Sequence, residues 1–256
     1  MKRLRFPLVA IAALLLATGT TLAAGKSMSR EERAQAALVN TQLGMTYMRQ
    51  DNLAAARDKI EKALQQNPNT ADTQMAAGFL YDRLGDSRKA VSHYERAARL
   101  GKDNPDVLNN VAVYLCRKGD KKRGVDYFLQ AAESALYRTP EVAYANAGRC
   151  ARADGRDEEA EQYYRRALAA RPDLPDALLQ LADLQHLAGN NLSARAFVQR
   201  YNAAVTPSAE SLWLGYRVER ALGDASLAQD YARRLKKDFP GSDQERLLLE
   251  AEQADR

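Results

Sequence analysis

The stretch LGMTYMRQDNLAAARDKIEKALQQNP, Leu43 to Pro68, repeats its pattern 34 residues later: Gly44, Tyr47, Ala56 and Ala63 return as Gly78, Tyr81, Ala90 and Ala97. A fixed period with small residues and aromatics in set slots is the signature of stacked helix pairs, because the small residues let two helices cross closely and the aromatics fill the space toward the next pair. Followed onward, the Gly slot becomes Ala112, and the paired slots become Gly124, Phe128 and Ala131. After a two-residue insertion around Leu136 to Pro140, the pattern resumes as Gly148, Ala160, Tyr164, Ala167 and Pro172. Ala182, Ala194, Val198 and Pro207 make a fifth copy, and Gly215, Ala228, Ala232 and Pro240 a sixth.

Within each copy, apolar residues recur at helical spacing on either side of a Gly- or Asp-rich turn, such as Gly85-Asp86 and Gly223-Asp224. Prolines at 68, 105, 140, 172, 207 and 240 fall between copies, where a fixed φ and a missing N–H are tolerated. The pattern resembles the tetratricopeptide repeat (TPR). The expected fold is all-α, a right-handed superhelical solenoid of about six TPR helix pairs over residues 37–242, with repeats at about 37–70, 71–104, 105–140, 141–174, 175–208 and 209–242. Residues 243–256 read as a C-terminal helical tail.

The amino terminus has the three parts of a secretory signal: Lys2, Arg3 and Arg5, an apolar run from Phe6 to about Leu16, and a small-residue segment from Thr18 to Gly25. The apolar run falls short of the roughly 20 residues a transmembrane helix needs. Residues 1–24 are therefore expected to be a cleaved signal peptide, with an uncleaved anchor as the alternative, and residues 25–36 a polar tether. Loss of Lys2, Arg3 and Arg5 with the leader takes the formal charge from +5 to +2. The remaining Lys and Arg are interspersed with Asp and Glu, as in solvated helix faces, and no concentrated basic tract points to nucleic acid.

Catalytic signals are weak. His93 and His186 lie in different repeats without a partner at metal-ligand spacing, and Asp157, Glu158, Glu159 and Glu161 fall in a helix's first turn, where carboxylates favour the positive end of the helix dipole. No phosphate loop or nucleophile–base set stands out. The chain is expected to be no enzyme, with no cofactor, metal or small-molecule substrate. Cys116 and Cys150 are its two cysteines, in the first helices of adjacent repeats. Export permits a disulfide between them, and two small buried hydrophobes are the alternative.

Binding is the better-supported role, because the first helix of each TPR pair lines the concave wall. The register places Leu38, Met45, Met48, Met75, Phe79 and Val113 along the amino-terminal half of that wall. Flexible thioethers there suit a groove for a helix or an extended apolar segment. Toward the carboxyl end the wall carries Arg149, Arg152, Trp213, Arg217 and Arg220, a guanidinium cluster beside a tryptophan that suits an acidic or aromatic partner segment.

Several stretches go beyond the generic repeat: VLNNVAVYL (Val107 to Leu115), the insertion ALYRTPEVAYANAGRCA (Ala135 to Ala151), and SLWLGYRVERALGD with YARRLKKDFPGS (Ser211 to Ser242). They resemble the PilF/PilW family of type IV pilus biogenesis proteins over about residues 33 to 250. The resemblance implies a pilotin, a periplasmic scaffold that binds the pilus secretin and promotes its localisation or assembly in the outer membrane without turnover. Such proteins are typically lipoproteins, whereas here Leu22-Ala23-Ala24 is followed by Gly25 where the acylated cysteine would stand. The alternative function is a general periplasmic TPR adaptor for another envelope machine, such as a tight-adherence pilus, a secretion system or a cell-wall complex.

Overall fold

The computed structural model describes residues 28–254, and the expected signal peptide lies outside them. Among the described residues there are thirteen helices and no strand. They run as pairs: α1 (Arg30–Arg49) with α2 (Leu53–Gln66), α3 (Ala71–Arg83) with α4 (Ser87–Leu100), α5 (Pro105–Lys118) with α6 (Lys121–Ala132), α7 (Pro140–Arg152) with α8 (Asp157–Ala170), α9 (Pro175–Leu187) with α10 (Asn191–Ala204), and α11 (Ala209–Leu222) with α12 (Ala225–Asp238). A last helix, α13 (Asp243–Ala254), closes the stack.

Local chemistry sets the boundaries. Asn52, Asp86, Asp120 and Asp224 each cap the second helix of a pair by accepting a backbone N–H three residues on, which satisfies one of the donors that a helix start leaves unpaired. The turns before them need a left-handed residue, and glycine supplies it at Gly119 (φ 99°) and Gly223 (φ 78°) without a Cβ penalty. In the first pair Asp51 takes that conformation (φ 60°).

The 34-residue motif works through a spacing of 16. A Cβ on Gly78 would sit 2.9 Å from the ring of Tyr94, and one on Gly148 would sit 2.8 Å from the ring of Tyr164, so each glycine gives an aromatic room to cross the pair. Gly148→Leu is expected to destabilise the protein by about 1–3 kcal/mol through overpacking, read as a lowered denaturation midpoint with unchanged helix content. Tyr94 and Tyr164 are fully buried, and among the described residues their hydroxyls find no hydrogen-bond partner. Burial pushes both phenols well above the ordinary tyrosine range. Tyr94→Phe removes an unsatisfied polar atom while keeping the ring stacked 4.1 Å from Tyr114, so thermal unfolding should show stability unchanged or raised by up to about 1 kcal/mol.

Buried apolar residues form two large clusters that overlap in α5, α6 and α7, and a third beneath α13 around Leu212, Leu235 and Leu248. First helices touch one another directly (α1 with α3, α3 with α5, α5 with α7, α9 with α11), whereas no two second helices show comparable contact. The second helices therefore splay apart, and the curve of the stack places the first helices on its inner side. Cys116 of α5 and Cys150 of α7 form a disulfide with their Cα atoms 5.7 Å apart, across the off-period insertion. In that insertion Tyr137 packs against the core while Leu136 projects into solvent.

One boundary differs from expectation. Residues 30–36, read as part of a tether, are the first two turns of α1. Ser29 and Glu32 form a reciprocal capping box, in which the Ser29 hydroxyl accepts the Glu32 N–H and the Glu32 carboxylate accepts the Ser29 N–H, and this nucleates a helix in a polar segment. The sixth pair keeps the spacing of 16, with Gly215 against Tyr231, but its cap, Asp224, follows Gly215 by one residue more than Asn52 follows Gly44, and Ala228 and Ala232 stay buried.

Candidate partner-binding groove

The first helices are joined along their inner side by polar contacts. The Thr41 and Thr73 hydroxyls are 3.0 Å apart, Arg117 pairs with Asp82, Asn146 donates to Asn109 at 3.3 Å, and Asp183 accepts from both Arg152 and Arg217. These bridges tie α1 to α3, α3 to α5, α5 to α7, α7 to α9 and α9 to α11, and so fix the wall on which the proposed groove residues lie.

In the amino-terminal half, Leu38 and Val113 are 44% and 45% exposed. Met45, Met75 and Phe79 are half-buried, packed against the second core cluster with an accessible edge, and the Phe79 ring meets Tyr94 edge-on at 5.6 Å. The strip is thus an apolar surface backed by a rigid core. Met48 does not belong to it. At 5% exposed it is a core residue, because it lies at the end of α1 where α3 closes over it, and the Arg83 guanidinium donates to its carbonyl at 3.3 Å. The structure adds two residues to the surface of α1: Val39 and Leu43 are exposed, whereas Thr73 and Ala77, their counterparts 34 residues on, are buried. Inside the stack that face is covered by the second helix of the preceding pair, and among the described residues nothing precedes α1. An end effect of this kind is legible from the repeat register alone.

The carboxyl-terminal half is less cationic than its arginines suggest. Arg152 and Arg217 share Asp183, Arg152 also donates to Gln180 at 2.6 Å, and Arg149 pairs with Asp176 at 3.6 Å and hydrogen-bonds Asn146. The guanidinium cluster expected at Arg149, Arg152 and Arg217 is therefore tied by ion pairs across α7, α9 and α11. Trp213 stacks on Tyr216 with ring centroids 5.4 Å apart, Arg217 lies over the Trp213 ring at 5.7 Å, and Arg220 donates to the Tyr216 hydroxyl at 3.1 Å.

Burial works against the charged form of Asp183, yet hydrogen bonds and charge from Arg152 and Arg217 outweigh it and hold its carboxyl below the ordinary range. A depressed folded-state pKa contributes stability that is present above the unfolded value, near 4, and is lost as pH falls through the folded value. Asp183→Asn is accordingly expected to lower stability at pH 7 and to lose most of that effect in strong acid, a convergence that denaturant melts at the two pH values would reveal.

The histidines have structural partners. His93 Nδ1 lies 2.7 Å from Gln74 Oε1 with its ring stacked on Tyr81, and His186 Nδ1 lies 2.7 Å from Asn191 Oδ1. Among the described residues no group of three His, Cys, Asp or Glu side chains could hold a metal, and no helix is long and apolar enough to cross a membrane.

Comparison with known proteins matches this geometry. The Tetratricopeptide repeat family matches residues 34–103, 75–138 and 143–178. The type IV pilus assembly protein PilF of Pseudomonas aeruginosa is 26% identical over 201 residues, which is 78% of this chain and 80% of PilF. The crystal structure of PilW, described as a widely conserved type IV pilus biogenesis factor, is 32% identical with a TM-score of 0.71, covering 84% of this chain and 99% of that one. The Pseudomonas aeruginosa PilF structure gives the same TM-score at 25% identity, covering 88% and 99%. With 32% identity and a shared fold along nearly the whole of PilW, the chain belongs to the PilF/PilW family of tetratricopeptide-repeat type IV pilus biogenesis proteins.

Proposed function

We propose that this protein acts in the periplasm as a binding scaffold that holds a segment of the type IV pilus secretin on its amino-terminal inner wall, and so promotes the secretin's localisation or assembly in the outer membrane. The observation that carries this reading is the strip of Leu38, Met45, Met75, Phe79 and Val113, apolar and accessible on a wall otherwise stitched by polar contacts, in a member of a pilus biogenesis family. An amphipathic helix or an extended apolar segment suits such a strip, with thioethers adapting to its side chains. The export-type leader supports a location outside the cytoplasm. Gly25 in the position of an acylated cysteine favours a soluble factor, or one held at the membrane through a bound partner.

Deletion of the gene tests the role. Secretin multimers should fall and twitching motility should be lost, both restored by the wild-type chain. Multimers and motility that survive deletion unchanged would remove the pilus reading.

A further inference from the structure

The outer face of α1 is open where the later pairs are closed. Val39 and Leu43 are 43% and 41% exposed. Their counterparts one period on, Thr73 and Ala77, are buried, and so are Val107 with Val111, Ala143 with Ala147, and Ala177 with Leu181 in the pairs that follow. In those pairs the preceding second helix packs on the first, α2 on α3, α4 on α5, α6 on α7 and α8 on α9. The carboxyl-terminal end of the stack is finished differently. There α13 packs on α11 and α12, and its outer side carries Arg246 ion-paired to Glu250 at 2.9 Å and to Asp243 at 3.6 Å, the charged surface of a terminal cap. Among the described residues the amino-terminal end has no such cap, and the accessible row along the middle of α1, Gln35, Val39, Gln42, Leu43 and Thr46, carries no charge.

The charges that bound this row complement themselves. Glu31 lies in the first turn of α1 and Arg49 in its last. Arg49 reaches only the Thr46 hydroxyl, at 3.0 Å, and neither it nor Glu31 has an ion-pair partner among the described residues. Residues 31 and 49 are separated by five full turns and so stand on one line of the helix. A second α1 laid antiparallel on the first, with a twofold axis level with Asn40, therefore brings Arg49 beside Glu31 of the second copy at both ends, while Val39 and Leu43 cover each other's row. Head-to-tail stacking would instead set the uncharged row on the ion-paired side of α13. The twofold contact satisfies both the apolar row and the two end charges, and it closes after two chains.

We infer that the protein forms a twofold dimer through the outer face of α1, with a second copy of the chain taking the place that a preceding second helix holds inside the stack. One helix on one helix is a small interface, so association is expected at micromolar concentration. Leu38 lies three turns before Arg49 on the same flank of α1, so the twofold leaves both inner walls open to one side and offers two apolar strips to a repeating partner. This use of the dimer rests on the proposed groove, whereas the dimer itself does not.

Sedimentation velocity of the purified mature chain is the test. Across a concentration series the mass should rise from one chain to two and stop there. Arg49→Glu and Glu31→Arg each set like charges together and should weaken self-association at least about tenfold. Mixed in equal amounts, these two variants should pair with each other about as tightly as the wild type pairs with itself, because both end contacts are then opposite in charge. Leu43→Lys, at an exposed position, should give a monomer with an unchanged melting temperature. A wild-type chain that stays monomeric at every concentration, a mass that climbs past two, or a mixture no tighter than its components would each overturn the inference. A monomeric wild type whose association with the secretin is lost in Leu43→Lys would also overturn it, and would give this face to the partner.

Discussion

Replacing Cys116 and Cys150 together by alanine is expected to destabilise the middle of the solenoid by about 4 kcal/mol, the chain-entropy value for a closed loop of this length. The disulfide spans 34 residues and joins α5 to α7 across the two-residue insertion that breaks the period. Neighbouring pairs meet through helix-on-helix contact all along the stack, α6 against α7 included. At this junction the chain must also accommodate an insertion that sends Leu136 into solvent while Tyr137 packs inward. In a solenoid each unit leans only on its neighbours, so weakening one interface lets the two sides open separately. The double variant should accordingly unfold with a lower midpoint and a broader transition, and amides of α5 to α7 should lose hydrogen-exchange protection first. A variant whose midpoint matches the oxidised wild type would show that packing at the junction suffices without the bond.

The second large effect concerns binding. Met75→Asp combined with Phe79→Asp is expected to weaken association with the secretin about a thousandfold, since two apolar anchors at about 2 kcal/mol each make about 4 kcal/mol and each 1.4 kcal/mol is tenfold. Both side chains also back onto the core, and Phe79 contacts Tyr94, so this variant will lose some stability as well. Val113→Asp separates the two effects. Val113 is 45% exposed on the same strip, and an exposed substitution should change stability by no more than about 0.5 kcal/mol while still placing a charge in the path of an apolar ligand. Calorimetric titration and thermal melts of the same samples would report the two quantities side by side.

The repeat was legible because its cause is local and recurs: a glycine or alanine at a helix crossing and a bulky residue 16 positions later must appear together, and they do in Gly78 with Tyr94 and in Gly148 with Tyr164. The inner wall followed from the same register. Other features depend on relations between repeats. Asp183 lies one period beyond Arg149 and one before Arg217, so the neutralising carboxylate was visible in the same row of the pattern but not in a search for clustered arginines. Met48 sits where the wall curves in under α3, and whether a thioether at that position points to the groove or to the core depends on packing that the period does not specify. The start of α1 had its own signal, Ser29 followed by Glu32, hidden in a segment whose polarity reads as a tether.

The central claim, that the hollow side of the stack holds a secretin segment, is tested most directly by site-specific photocrosslinking in piliated cells. A crosslinker at Val113 on the inner wall would be compared with one at Ser92 on α4 or Gln162 on α8, both exposed on second helices. The account expects a secretin adduct from Val113 and none from the outer positions. Adducts from Ser92 or Gln162 with none from Val113 would contradict it.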